Sequence, residues 1–340
     1  MAEPLLEVKD LKVSFRTEDG VVRAVDGVSF AVDEGEVLGI VGESGSGKSV
    51  TMMSVLRLIN DPNMRVEGEV IYKGRDLMKV HKDEMREVRG EEIAMIFQDP
   101  MTSLNPVYRV GDQIIEAILT HQAVGKAAAR RRAIELLHQV GIPGPEERVD
   151  DYPHQFSGGM RQRAMIAMAL ANNPDILIAD EPTTALDVTI QAQIIELIDT
   201  LKDEFNSAVV LITHDLGVVA EIANEIIVMY AGRVVERAPT RELFYDPQHP
   251  YTWGLLGSIP RLDRPKLERL HSIKGMPPSL INLPEGCKFR PRCPYAFEKC
   301  TEEPELRNRV EDQAHLDRCW LSVPDKRRLR DATISGEEAA

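Results

Sequence analysis

The sequence predicts an α/β fold in which a largely parallel sheet is covered by helices. Short apolar runs with the length of buried strands alternate with stretches of helical periodicity. Glycine-rich, acidic or polar motifs follow several of these runs, as is typical of parallel sheets. The 340 residues, 43% of them hydrophobic, are enough for a large core and two domains. No internal repeat is visible in the sequence, so we expect a single copy of the fold.

The elements follow one another in three stretches. Residues 5 to about 95 alternate strands and turns around one helix at 49–59. From about 100 to 170 the pattern is helical, with amphipathic helices expected at 111–121 and 127–140. Strands return from residue 175 onward, between helices. One helix there has an apolar face that should pack on the sheet, formed by Ile190, Ile194, Leu197, Ile198, Leu201 and Phe205.

A phosphate-binding loop follows the apolar run at residues 37–41. Its sequence is Gly42-Glu43-Ser44-Gly45-Ser46-Gly47-Lys48-Ser49, followed by Val50, which is the P-loop pattern in its strand, loop, helix context. Glycines let consecutive N–H groups point at phosphate oxygens, and the helix that begins near Lys48 adds the positive end of its dipole. We expect this loop, through Val50, to bind ATP. Lys48 should reach the β- and γ-phosphates and Ser49 should ligate Mg²⁺.

Two adjacent acids, Asp180 and Glu181, end a second apolar strand at residues 176–179. We expect Asp180 to hold Mg²⁺ through its water shell, and Glu181 to orient and deprotonate the attacking water. Two acids after a strand are also common as a solvated turn. The pair indicates this chemistry only in combination with the P-loop.

The run Phe156-Ser157-Gly158-Gly159-Met160 precedes a helix-like stretch at residues 161–171. Together with the P-loop and the acidic strand end, it resembles the signature motif of the ATP-binding-cassette (ABC) transporter family. The resemblance implies a P-loop NTPase cassette whose helical subdomain, about 100–170, carries the signature. It also implies a head-to-tail pair of cassettes, in which Ser157, Gly158 and Gly159 contact ATP on the partner's P-loop through a hydroxyl, backbone N–H groups and a helix N-terminus. Met160 replaces the Gln that is commonest at the fifth position, which removes one polar side chain and leaves the backbone donors.

Four further positions match landmarks of this family in the expected order. Gln98 matches the residue that senses Mg²⁺ and the attacking water, and Thr184-Ala185-Leu186-Asp187 matches the loop that communicates across the dimer, with Asp187 near the partner's ATP. His214 matches the switch histidine at the γ-phosphate, and Phe15 the aromatic ring that stacks on adenine. Singly, Gln98 also fits a polar loop residue, His214 a helix cap and Phe15 a core residue. Their common order favours the family interpretation.

The chain beyond Gly232 is rich in proline, which favours short elements and irregular ordered structure over long helices. Gln248-His249-Pro250-Tyr251-Thr252, Leu255-Leu256 and Ser258-Ile259-Pro260 resemble the C-terminal extension of the oligopeptide and dipeptide importer branch. We therefore expect a nucleotide-binding domain at 1–235 and an extension at 236–340, and peptides as cargo. Nickel chelates and haem stay open as cargo of the same branch.

All four cysteines, Cys287, Cys293, Cys300 and Cys319, lie in this extension, with five, six and eighteen residues between them. A reducing compartment disfavours disulfides, and the clustering indicates one shared site. The spacing lacks the C-x₂-C pairs of common zinc sites, and it leaves an iron–sulfur cluster, zinc and free thiols open. The segment Cys287-Lys288-Phe289-Arg290-Pro291-Arg292-Cys293-Pro294 resembles that of the peptide-importer branch, which implies a [4Fe–4S] cluster, and we expect its role to be structural.

Composition restricts location and partners. A net charge of −14 argues against nonspecific binding to nucleic acid or anionic lipid, and no apolar stretch approaches the ~20 residues that cross a bilayer. We expect a peripheral protein on the cytoplasmic face of a bacterial membrane. The resemblance implies two polytopic membrane permease subunits and an external peptide-binding protein that acts indirectly. It also implies a second homologous ATP-binding subunit, for which a non-identical cassette is favoured over a second copy of this chain. A soluble ABC ATPase acting on DNA or ribosomes, and a regulatory scaffold with a degenerate ATPase site, are the competing interpretations.

Overall fold

The computed structural model describes residues 3–99, 103–184, 187–259, 273–309 and 314–335. The chain divides into two compact units, each assembled from segments that are separate in sequence. The first consists of the described residues of Met1–Leu6, Val32–Val37 and Ile71–Ile212. The second consists of those of Glu7–Ala31, Leu38–Val70 and Thr213–Ala340.

The first unit contains a parallel sheet in the order β6 (Ile93–Ile96), β7 (Ile176–Asp180) and β8 (Ala208–Thr213). Every residue of β7 and β8 is buried, as expected for parallel strands covered on both faces. This confirms the predicted α/β class. A short strand, β5 (Arg75–Asp76), pairs antiparallel with Ile71 and Tyr72.

The helices of the first unit agree closely with the periodicity of the sequence. The predicted helices at 111–121 and 127–140 are Val110–His121 and Lys126–Gln139. The signature helix, Gly158–Ala169, begins three residues before the predicted start because Ser157 caps it. The apolar stripe at 190–205 lies on Val188–Phe205. Ile194, Ile198 and Leu201 of the predicted face are buried, as is Ile195, whereas Ile190, Leu197 and Phe205 are half-buried. Other helices and turns are Lys82–Glu87, Val88–Glu92, Pro145–Arg148 and Pro153–Gln155. The first of these, which His81 caps, lies where the sequence predicted only strands and turns.

The second unit contains two groups of strands. β2 (Gly20–Val32), β1 (Leu6–Thr17) and β4 (Met64–Tyr72) are neighbours in that order. β3 (Val37–Val41) pairs parallel with β9 (Glu225–Tyr230). β9 continues antiparallel through β10 (Arg233–Pro239), β12 (Leu316–Asp317) and β11 (Arg307–Asn308).

The helices of the second unit differ from the sequence prediction in two places. The helix after the P-loop is Lys48–Val55, shorter than the predicted 49–59, because Arg57 adopts a left-handed backbone (φ 50°) that ends it. The extension consists of short elements, as predicted, but closes on a 13-residue helix, Val323–Ser335, where no proline follows Pro324. The other helices and turns are Leu216–Ile222, Thr240–Tyr245, Pro250–Gly257, Arg290–Arg292 and Glu298–Thr301. Within the described ranges, no helix is long and apolar enough to span a membrane.

Candidate functional site

The P-loop adopts a conformation that requires glycine at two of its positions. Gly42 and Gly47 have positive φ angles of 155° and 101°. A Cβ at Gly42 would lie 2.3 Å from the carbonyl oxygen of Met229, and one at Gly47 would lie 2.3 Å from that of Ala24. Any larger residue at either position would therefore force the loop out of this shape.

Lys48 is folded back over the loop that precedes it. Its Nζ donates to the carbonyl oxygens of Gly42 (2.8 Å) and Glu43 (3.1 Å), and the residue is only 4% exposed. The helix that starts at Lys48 has no acidic residue in its first turn, so no carboxylate of the helix itself opposes an anion at its N-terminus. Ser46 Oγ is buried and has no hydrogen-bond partner among the described residues. Ser44 and Gly45 are exposed, and Ser49 and Val50 are half-buried.

The predicted base Glu181 is held by two side chains in the first unit. Gln98 Nε2 donates to Glu181 Oε2 at 2.9 Å, and Thr184 Oγ1 donates to the same oxygen at 2.9 Å. The Glu181 N–H donates to the carbonyl oxygen of Ile212 at 2.8 Å. The structure therefore brings Gln98 and Glu181 together, as the sequence order suggested, and adds Thr184, whose contact the spacing did not reveal.

The backbone at the end of β7 is strained. Asp180 ends the strand and is 5% exposed, and Glu181 follows it with φ 46°, in the left-handed region. For a residue other than glycine this conformation costs about 1–3 kcal/mol and is concentrated at functional sites. The turn separates the two carboxylates, so that Asp180 stays at the buried strand end while Glu181 reaches Gln98 and Thr184.

The signature run presents the N-terminus of a 12-residue helix. Phe156 is buried (2% exposed), whereas Ser157 and Gly158 are exposed. Ser157 Oγ accepts the N–H of Met160 at 3.3 Å, so the hydroxyl caps the helix and Met160 takes part through its backbone. A Cβ on Gly159 would lie 3.3 Å from Ile190 Cγ2, and the helix has no acid in its first turn. An exposed, capped N-terminus without acids suits an anion held by another molecule.

The remaining predicted positions lie at element ends or on a strand. Asp187 is exposed and caps Val188–Phe205, with its Oδ1 accepting the N–H of Ile190 at 3.0 Å; Ala185 and Leu186 lie outside the described residues. His214 is exposed directly after β8. The cap of the next helix is Asp215, whose Oδ1 accepts from the Gly217 N–H, so His214 is not the cap. Phe15 lies half-buried on β1.

The four cysteines line one small cavity of the second unit, together with apolar and aromatic side chains such as Phe289. No disulfide joins them. Burial raises the pKa of Cys287 to about 11 and those of Cys293 and Cys319 to about 12. Across the described part of the chain, no three His, Cys, Asp or Glu side chains are grouped so that they could hold a metal ion. The described residues therefore show no ready-made metal site for the predicted [4Fe–4S] cluster, although the four thiols share one cavity.

Two family profiles match the chain. The profile described as "ABC transporter" matches residues 25–184, and the profile described as "Oligopeptide/dipeptide transporter, C-terminal region" matches residues 235–300.

Curated relatives match over almost the full length. The oligopeptide transport ATP-binding protein OppD of Bacillus subtilis is 54% identical over 322 residues, which cover 94% of this chain and 90% of the relative. The dipeptide transport ATP-binding protein DppD of the same species is 51% identical, covering 98% and 99%. Escherichia coli DppD is 55% identical, covering 89% and 92%.

A solved dimeric ATP-binding cassette, in a post-hydrolysis state bound to ADP and Pi, has a similar fold. It has a TM-score of 0.62 and 30% identity, and the match covers 69% of this chain and 99% of that structure.

Proposed function

Since the chain belongs to the ABC transporter family of ATP-binding subunits, in its oligopeptide/dipeptide branch, and is an ABC-type ATPase, we propose that it powers peptide import across a bacterial cytoplasmic membrane. The proposed nucleotide-binding domain is 1–235 and the proposed extension is 236–340. The single observation that carries the cargo assignment is the extension, which follows the cassette in this chain as in the relatives named for oligopeptide and dipeptide transport.

The P-loop and the acidic strand end divide the work on ATP. The loop residues 42–50 bind the phosphates, Phe15 stacks on adenine, and Lys48 neutralises the β- and γ-phosphates. Glu181, oriented by Gln98, deprotonates the attacking water, and His214 contacts the γ-phosphate. Ser49, Gln98 and Asp180 would hold Mg²⁺, which shields phosphate charge, and their hydroxyl, amide and carboxylate oxygens are the hard ligands that this ion prefers.

The site is completed by a second cassette. Ser157, Gly158, Gly159 and Asp187 serve the ATP of the partner, while the partner's signature serves the ATP of this chain. The exposed helix N-terminus at Ser157 supports this arrangement, as does the dimeric state of the solved cassette with bound ADP and Pi. The partner is a homologous, non-identical cassette.

The other partners are two polytopic permease subunits, docked near Gln98, and an external peptide-binding protein that delivers cargo to them. The chain is peripheral, on the cytoplasmic face of the membrane. Nucleic acid is not a partner, in keeping with the net charge of −14.

We also propose that the cysteine cavity holds a [4Fe–4S] cluster, with zinc as the alternative. Its support is that all four thiols line one cavity, a donor set that suits either group. The side chains would have to turn toward a common centre and lose their protons on binding. Anaerobic purification followed by iron, sulfide and zinc analysis tests this: about four irons per chain support the cluster. Stoichiometric zinc without iron, or neither metal, would contradict it.

Transport into proteoliposomes tests the cargo. The complex of this chain, its partner cassette, the two permeases and the external binding protein should take up a labelled tri- or tetrapeptide in an ATP-dependent manner. The matched control carries Glu181→Gln in this chain. Uptake of a nickel chelate or of haem without peptide uptake would overturn the peptide assignment and leave the ATPase assignment intact.

A further inference from the structure

The P-loop contains a carboxylate that a phosphate-binding site should disfavour. Glu43 is the second residue of the loop, where a negative charge opposes the anionic triphosphate unless a cation neutralises it. Its side chain is 30% exposed, so solvent screens it only in part. The loop therefore needs a partner for this charge, and the sequence pattern does not say which residue supplies it.

That partner is Arg292, which lies in the extension, 249 positions along the chain. Its guanidinium makes a two-pronged contact: Nη1 donates to Glu43 Oε2 at 2.6 Å, and Nη2 donates to Glu43 Oε1 at 3.0 Å. The Arg292 side chain is 4% exposed, and its Nε donates to the carbonyl oxygen of Lys274 at 3.1 Å. A two-pronged, largely buried contact between an arginine and a carboxylate is strong, and its geometry fixes the orientation of both side chains.

Hydrogen bonds from the extension and from the P-loop itself hold the backbone of Glu43. Its N–H donates to the hydroxyl oxygen of Tyr251 at 2.9 Å, and its carbonyl accepts from Lys48 Nζ at 3.1 Å. The Glu43 carbonyl also accepts the N–H of Ser46 at 3.2 Å, so every polar group of Glu43 is engaged, and the extension supplies the contacts to its N–H and to its carboxylate. The loop conformation at its first two residues depends on Tyr251 and Arg292 as well as on its own glycines.

Aromatic packing keeps these two residues in place. The rings of Tyr230, Tyr251 and Phe289 contact one another, with centroids 4.7 to 5.4 Å apart, and the Arg292 guanidinium lies 5.8 Å from the Tyr230 centroid. Tyr230 ends β9, which pairs with the strand that leads into the P-loop. Phe289 also lines the cysteine cavity. The pair is therefore anchored in the core of this unit.

We infer that Arg292 and Tyr251 are positioning residues of the nucleotide site: Arg292 neutralises Glu43 and, with Tyr251, holds the P-loop in its phosphate-binding shape. The extension is then part of the ATP-binding apparatus. This inference rests on the proposed role of the P-loop in ATP binding, and it concerns affinity for ATP, independently of cargo.

A double-mutant comparison tests it on the full chain, with the dissociation constant of a fluorescent ATP analogue as the readout. Arg292→Met leaves Glu43 unneutralised and should weaken ATP binding about 10-fold, and Tyr251→Phe about 3-fold, in line with the loss of a charged pair and of one hydrogen bond. Glu43→Gln alone should bind near the parent level. Combining Glu43→Gln with Arg292→Met should restore most of the affinity, because the repelling charge is gone although the arginine is still missing.

The restored affinity separates positioning from packing. If Arg292 mattered only for stability, the double variant would bind no better than Arg292→Met, and that result overturns the inference, as would parent-level affinity in Arg292→Met. Arg327→Met is the matched control: it removes an exposed arginine of the extension from its ion pair with Asp246 and should leave ATP binding unchanged. Thermal unfolding of each variant establishes that it is folded. If Arg292→Met does not fold, Arg292→Lys takes its place: it keeps the positive charge without the two-pronged guanidinium and should show an intermediate loss of ATP affinity.

Lys48→Ala distinguishes a failure of the P-loop assignment from a failure of the role inferred for the extension. It should abolish detectable ATP binding. If it binds ATP like the parent, the P-loop assignment itself fails. If it loses binding while Arg292→Met retains it, only the role of the extension fails.

Discussion

Replacing the Thr184 hydroxyl tests how the hydrolytic base, Glu181, is held in position. Thr184→Val removes the hydroxyl that donates to Glu181 Oε2 at 2.9 Å and keeps the shape of the side chain. Gln98 continues to donate to the same oxygen at 2.9 Å, so this oxygen keeps a side-chain donor when the Thr184 hydroxyl is lost. A hydrogen bond to a charged group contributes about 1.5–3 kcal/mol, and because Glu181 is only partly buried we take the low end, which corresponds to a loss of about tenfold in kcat.

The assay is phosphate release by the assembled transporter over a range of ATP concentrations. We expect kcat to fall while KM for ATP stays near the parent value, because Thr184 acts through the base and is expected to make no contact with the phosphates. Thr184→Ser, which keeps the hydroxyl, is the matched control and should retain most of the activity. Parent-level kcat in Thr184→Val, or equal losses in the Val and Ser variants, would show that the Thr184 hydroxyl does not hold the base.

Three further outcomes follow from the structure. Gly159→Asp places a carboxylate at the exposed N-terminus of the signature helix, where a Cβ would lie 3.3 Å from Ile190 Cγ2. It should leave ATP binding by the isolated chain intact and stop hydrolysis at the partner's site. Preserved hydrolysis at the partner's site in a mixed complex would argue against action in trans. Burial lowers the pKa of His249 from 6.5 to about 3, so between these pH values the unfolded chain binds a proton that the folded chain does not. Tm should therefore fall as pH drops through this window. The fall in Tm should be smaller in His249→Asn, which keeps an acceptor for the Tyr251 N–H. Lys326→Met leaves Asp317 buried without its 2.6 Å partner and should lower the free energy of unfolding by about 3–5 kcal/mol in urea titrations, and a change within error would contradict the importance of this pair.

Local chemistry explains which features the sequence predicted. The strands β7 and β8 are continuous apolar runs because both faces are buried, and such runs are readable without a structure. The P-loop glycines occupy backbone conformations that only glycine adopts readily, so their spacing is itself the signal. The convergence of the cysteines on one cavity was predictable because all of them lie in one short segment.

Contacts between residues far apart in the chain were not predictable. Arg292 meets Glu43 across 249 positions, and neither residue belongs to a pattern that names the other. Thr184 belonged to a recognised run, yet its bond to Glu181 depends on the left-handed turn at the end of β7, which no spacing rule requires. The early end of the helix at Val55 likewise depends on the backbone of Arg57, which carries no glycine or proline signal.

If this chain drives transport by hydrolysing ATP through Glu181, replacing that carboxylate must separate ATP binding from transport. ATP occupancy, phosphate release and peptide uptake are followed together in proteoliposomes that contain the complex with Glu181→Gln in this chain. We expect ATP to stay bound to this chain while phosphate release from its site and coupled uptake are lost, because the amide keeps the shape of the side chain and cannot accept the proton of the water. Phosphate release and peptide uptake at the parent rate would contradict this expectation.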